Sequence, residues 1–130
     1  MLNKPIQISK TYLLFSVLWA GFILFATIAN ARTLARLRIS DLFAYDKPIH
    51  MFLFGMFAWL LIKTFYANDV VLKLRVVHVA CLSSLAFGIT TEFLQGFITT
   101  TRFFDYYDML ANGLGCMVVW FWMKREILTI

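Results

Sequence analysis

Charge is scarce in this chain. Asp, Glu, Lys and Arg supply 15% of its 130 residues, while 62% are hydrophobic and 18% aromatic; an ordinary soluble domain carries about 25% charged residues. That deficit places the chain in a membrane rather than among soluble domains. Cysteine is nearly missing: Cys81 and Cys116 both fall in apolar stretches, where a thiol acts as a small hydrophobe. Two such residues make neither a disulfide framework nor a zinc site of familiar spacing. Internal repeats, low-complexity tracts, a P-loop and any recognised phosphatase or nucleophile motif are all lacking. Gly113 and Gly115, with Ala111 beside them, read as close helix packing, as do Gly88 and Gly96. The longest polar interval, Asn30 to Lys47, is 18 residues, which leaves no room for a soluble domain. Its RTLARLRISDLF stretch reads as a short amphipathic piece on the membrane surface.

Four apolar runs are present, to be set against a hydrocarbon core that takes about 20 helical residues to cross. They are Tyr12 to Ala29, Pro48 to Tyr66, Val76 to Ile98 and Tyr106 to Met123. None alternates polar with apolar positions, as barrel strands would. The expected fold is therefore all-α: a polytopic bundle of four transmembrane helices forming one domain over residues 1–130. Lys4, Lys10 and the Ala29-Asn30-Ala31 triplet give the first run the look of a secretory signal. Its 18 uncharged residues exceed the roughly 7 to 15 of such a segment, so it reads as an anchor.

Orientation follows from basic residues. Lys4, Lys10, Lys63, Lys73, Arg75, Lys124 and Arg125 share one side of a four-span chain, against Arg32, Arg36, Arg38, Lys47 and Arg102 on the other. Seven against five favours both termini in the cytoplasm. The net charge of +5 suits basic flanks meeting anionic lipid, and nothing points to nucleic acid. His78, at the cytoplasmic end of its run, reads as an interfacial residue.

Depth is more informative. At about 1.5 Å per residue, Glu92 and His50 each lie roughly 24 Å from the Lys63 to Arg75 side, and Asp108 roughly 22 Å. Spacing agrees with depth: Asp46 and His50 are four apart, Glu92 and Gln95 three, and Arg102, Asp105, Asp108 and Asn112 follow at three, three and four. Each set shares a face if helical. The expectation is one polar pocket at the outer interface, built from the second, third and fourth helices. Ionisable groups inside a membrane are costly unless paired or hydrated, and by default mark function; the plain alternative is that these charges only lock the bundle.

DKPIH at 46–50, EFLQ at 92–95, Arg102 and DMLANGLG at 108–115 together resemble the VanZ-like family of small bacterial membrane proteins. That family's pattern is D-K-x-x-H before an apolar helix, E-x-x-Q, an arginine a few residues on, and D-x-x-x-N-x-x-G opening the last helix. No element is specific alone; the ordered set is. Phe54 departs from it, standing where a tyrosine is expected. The resemblance implies a place in the bacterial cytoplasmic membrane and a link to the cell envelope, the family being named for low-level resistance to the glycopeptide teicoplanin.

The chemistry is read from the residues. An arginine and a lysine, here Arg102 and Lys47, make a natural cradle for a phosphate, with Gln95, Asp105, Asp108 and Asn112 as further substrate-binding candidates. His50 can pass protons near neutral pH, with Asp46 orienting its ring and Glu92 as a third candidate catalytic group. Glu92, Asp105 and Asp108 can instead hold a divalent cation bridging to a lipid phosphate. The expected ligand has a greasy tail and an anionic head, such as a polyprenyl phosphate or a lipid-linked wall precursor, and a homo-oligomer is compatible. Two other classes compete: a non-enzymatic envelope protein binding a head group or partner helix, and an ion-coupled carrier, which four helices without repeats make hard to build from one chain.

Overall fold

The computed structural model describes residues 6–29, 46–66, 70–100 and 104–129. The elements run β1 (Gln7–Ile8), α1 (Lys10–Ile28), α2 (Asp46–Thr64), β2 (Phe65–Tyr66), α3 (Val70–Ile98) and α4 (Tyr106–Thr129). Four described helices thus stand over the four apolar runs. α3 starts at Val70 rather than Val76 and α4 continues to Thr129. The flanking residues, such as Val70, Val71, Leu72 and Leu74, are themselves compatible with helix. The amphipathic piece expected over Asn30 to Lys47 lies outside the described residues up to residue 45, and so does Arg102.

α1 and α3 are long and apolar enough to cross a membrane. α2 and α4 are long enough, at 19 and 24 residues, but their polar groups leave them short of the same apolarity. The two strands, absent from the sequence-based expectation, are two residues each and pair antiparallel, Gln7 opposite Tyr66 and Ile8 opposite Phe65. Together with the Ser9 N–H donating to the Thr64 carbonyl at 2.8 Å, they tie the start of α1 to the end of α2.

Apolar side chains cover the outside as well as fill the core, unlike those of a water-soluble bundle. Leu14, Val17 and Leu18 of α1, Val79 and Leu82 of α3, and Leu110 and Val118 of α4 face outward, while Ser16, Thr64, Ser84, Thr91, Glu92, Gln95 and Asn112 are buried. Exposed apolar surface on this scale marks contact with lipid or another protein. Inside, small polar residues join helices: Ser16 and Thr64 hydroxyls meet at 3.0 Å, the Trp19 indole N–H donates to the Leu53 carbonyl at 2.9 Å, and Ser84 donates to the Phe54 carbonyl at 2.8 Å. Such bonds hold helices together where water offers no alternative partner.

α2 is the hub, in contact with α1, α3 and α4. Its tightest crossing is with α4 at two glycines. A Cβ on Gly115 would overlap the Met51 carbonyl oxygen and come within 2.9 Å of its carbon, and one on Gly55 would sit 3.1 Å from the Gly115 carbonyl oxygen. Side chains this small let two helix backbones touch. This contact presses the turn of α2 bearing His50 against the turn of α4 bearing Asn112. Cys81 and Cys116 are buried free thiols.

Candidate functional site

Three helices bring the polar residues to one place. From α2 come Lys47 and His50, from α3 Glu92 and Gln95, and from α4 Asp108 and Asn112. His50, Glu92, Gln95, Asp108 and Asn112 are all buried, Glu92 and Asn112 at 0% exposure. Each pair recurs at three or four residues along its helix, which is why one face of each helix suffices.

His50 is the centre. Its Nδ1 lies 2.9 Å from Asn112 Oδ1 and 3.7 Å from Glu92 Oε1, while Nε2 lies 3.7 Å from Asp108 Oδ2. An amide oxygen only accepts, so Nδ1 carries a proton and donates to Asn112, while Nε2 faces Asp108. The ring also stacks on Phe54, centroids 6.2 Å apart and planes 19° from parallel. Among the described residues Asn112 orients the ring; the Asp46 side chain, expected in that role, lies outside the described set.

Lys47 lies at the rim, one residue ahead of the apolar run. Its ammonium donates to Asp105 Oδ2 at 2.7 Å and to Asp108 Oδ1. Partial burial works against its charge, but the hydrogen bonds and negative charges of the two aspartates outweigh that and hold its pKa above the ordinary lysine value.

α4 begins at Tyr106, and Asp105 precedes it as the N-cap, its Oδ1 accepting the Tyr107 backbone N–H at 2.8 Å. Its other oxygen shares the Lys47 ammonium with Asp108, so the two aspartates meet at the rim. Among the described residues, the ligand atoms that cluster within 4.8 Å of one another are those of His50, Glu92 and Asp108, so His50 stands where the sequence-based set had Asp105. Asp108, in the first turn of α4, also benefits from the partial positive charge of the helix N-terminus.

The first helix contributes too, which the sequence-based pocket of three helices omitted. Thr27 of α1 lines a cavity of about 10 Å³ together with His50, Leu53, Phe54 and Gln95, about the space of one water. Thr27 is 15 residues beyond Tyr12, roughly 22 Å by the helical rise, so the same depth count would have found it. Beside the site, α2 and α4 bound an apolar groove of about 570 Å³ lined by Pro48, Met51, Gly55, Trp59, Val118 and Trp122. Pro48 and Met51 share a turn of α2 with Lys47 and His50.

The fold and site define a class: a small helical bundle, apolar outside, with an acidic polar cluster buried toward one end. The chain matches no family model, no curated protein and no solved structure.

Proposed function

We propose that the chain is a four-span, VanZ-like protein of the bacterial cytoplasmic membrane that binds an amphiphile with a phosphate head, of the polyprenyl-phosphate or lipid-linked precursor kind. The observation that carries this reading is the adjacency of the polar rim and the apolar groove on one turn of α2. An amphiphile whose tail enters the groove at Pro48 and Met51 has its head beside Lys47. The outward apolar faces of α1 and α3 support the membrane setting, and the ordered set of motifs supports the family.

The small space beside His50, about 10 Å³ and lined by Thr27, Leu53, Phe54 and Gln95, holds roughly one water and offers no room for a phosphate. The rim offers more: Lys47, with a side chain 42% exposed, can reach a head group there, and Arg102 is the second cation that the sequence motif offers. Binding, rather than hydrolysis or transfer inside the cluster, is the function the geometry favours. The competing structural reading draws on Lys47 already being paired with Asp105 and Asp108.

The test uses purified protein in detergent against phosphate-headed lipids, lipid-linked wall precursors and zwitterionic lipids. Selective binding of the phosphate-headed lipids is expected, weakened at least tenfold in Lys47→Gln and Arg102→Gln, since each removes one charged hydrogen-bond donor set (about 1.5–3 kcal/mol). Val118→Trp fills the groove and should weaken long-tailed ligands only. Folded wild type that shows no preference for phosphate refutes the reading and leaves the charges as structural.

A further inference from the structure

We propose that His50, Glu92 and Asp108 form a binding site for one first-row divalent cation of the Zn²⁺ or Mn²⁺ kind. Their ligand atoms, one from each of three helices, all lie within 4.8 Å of one another, and all three residues are buried. An ion with bonds of about 2.1 Å in tetrahedral geometry sets its donors about 3.4 Å apart. His50 Nε2 lies 3.7 Å from Asp108 Oδ2, near that spacing; Glu92 Oε1 lies 3.7 Å from the other ring nitrogen, Nδ1, and joins the set by a rotation of its side chain toward Nε2.

The hydrogen bonds around the trio orient it as the outer partners of a metal site do. Asn112 accepts the Nδ1–H hydrogen bond of His50, so the ring nitrogen turned to the carboxylate oxygen of Asp108, at 3.7 Å, is Nε2. Lys47 engages Asp108 through Oδ1 and leaves Oδ2 turned to the histidine.

A separate observation also points to a ligand. Gln95 is 2% exposed, and its Oε1 has no hydrogen-bond partner among the described residues. It lies three residues from Glu92 on α3 and lines, with His50, the water-sized cavity. A buried acceptor of this kind calls for a donor or a cation, and an amide oxygen or a water held by it supplies the fourth position.

The donor set selects the ion. One imidazole with two carboxylates suits Zn²⁺ or Mn²⁺, whereas Mg²⁺ and Ca²⁺ take oxygen ligands, and Mg²⁺ keeps several waters. The cation site stands without the lipid reading, and its test contains no lipid phosphate.

The full chain in detergent is stripped with a chelator and titrated with Zn²⁺, Mn²⁺ and Mg²⁺, reading bound ion per chain and Tm. One Zn²⁺ or Mn²⁺ per chain is expected, with a raised Tm and at least tenfold weaker Mg²⁺ binding. Glu92→Gln and Asp108→Asn should each weaken the ion at least tenfold, while Asp105→Asn, outside the trio, should retain it. Should those variants fail to fold, the Mn²⁺-loaded wild type gives the answer by pulsed electron paramagnetic resonance. Coupling to one imidazole nitrogen is expected, and it should persist in His78→Gln, which removes the only other histidine of the chain. A folded wild type that takes up no stoichiometric ion, an ion retained in both carboxylate variants, or bound Mn²⁺ without nitrogen coupling overturns the proposal.

Discussion

Replacing Gly115 with alanine should loosen the bundle and its site together. The new methyl would overlap the Met51 carbonyl oxygen, with the Met51 carbonyl carbon at 2.9 Å and Cα at 3.0 Å. These are backbone atoms of α2, so no rotamer relieves the contact and the helices must part. Overpacking of a tight core costs about 1–3 kcal/mol, and an unyielding backbone puts Gly115→Ala near the top, about 3 kcal/mol. The higher helix propensity of alanine returns at most about 1 kcal/mol, leaving a net loss of about 2 kcal/mol. Gly55→Ala, whose methyl meets the Gly115 carbonyl oxygen at 3.1 Å, should lose less. Gly21→Ala, with nothing within 4 Å, should be neutral or slightly stabilising. Met51 follows His50, and Asn112 lies three residues before Gly115, so parting the helices also stretches the 2.9 Å bond from His50 to Asn112. Denaturant titration in mixed micelles gives the three stabilities. A Gly115→Ala protein as stable as wild type, or a Gly21→Ala protein less stable than it, refutes the assigned helix crossing.

Lys47→Met should destabilise by about 1–2 kcal/mol, because Asp108, with a side chain only 4% exposed, loses its ammonium partner while the half-exposed lysine limits the worth of the pair; thermal unfolding measures it. Asp105→Asn keeps a competent N-cap for α4 and should cost under about 1 kcal/mol, with Asp105→Ala costing more, about 1–2 kcal/mol. Trp19→Phe deletes the donor to the Leu53 carbonyl, bonded at 2.9 Å, for a loss of about 0.6 kcal/mol in a membrane bundle. Cys81 and Cys116, buried and unbridged, should resist a maleimide in the native detergent complex and react with it once denatured; rapid native labelling of both contradicts their burial.

The helices and the level of the site were legible because two simple regularities govern them. A helix rises by a fixed step, so counting from the Lys63 to Arg75 side set His50, Glu92 and Asp108 at one depth, and the structure brings these three together. Gln95 and Asn112 follow at one turn from Glu92 and Asp108, and the period of 3.6 keeps them on the same faces. Segment ends were less legible, as with α3 beginning at Val70: hydropathy reports where the chain is greasy, while the helix ends where its hydrogen bonds do.

What the spacing could not supply was where α4 begins. Asp105, three residues before Asp108, caps α4 through the Tyr107 N–H and shares Lys47 with Asp108 at the rim, while His50 stands beside the two buried carboxylates. Nor does spacing within one helix say which helices touch. Thr27 joined the site because α1 packs against α2, and the α2–α4 register came from two glycines that single-chain periodicity cannot pair. Within one helix, periodicity decided which residues share a face; across helices, the decisive facts were a missing side chain at Gly115 and the carbonyl of Met51 that fills its place.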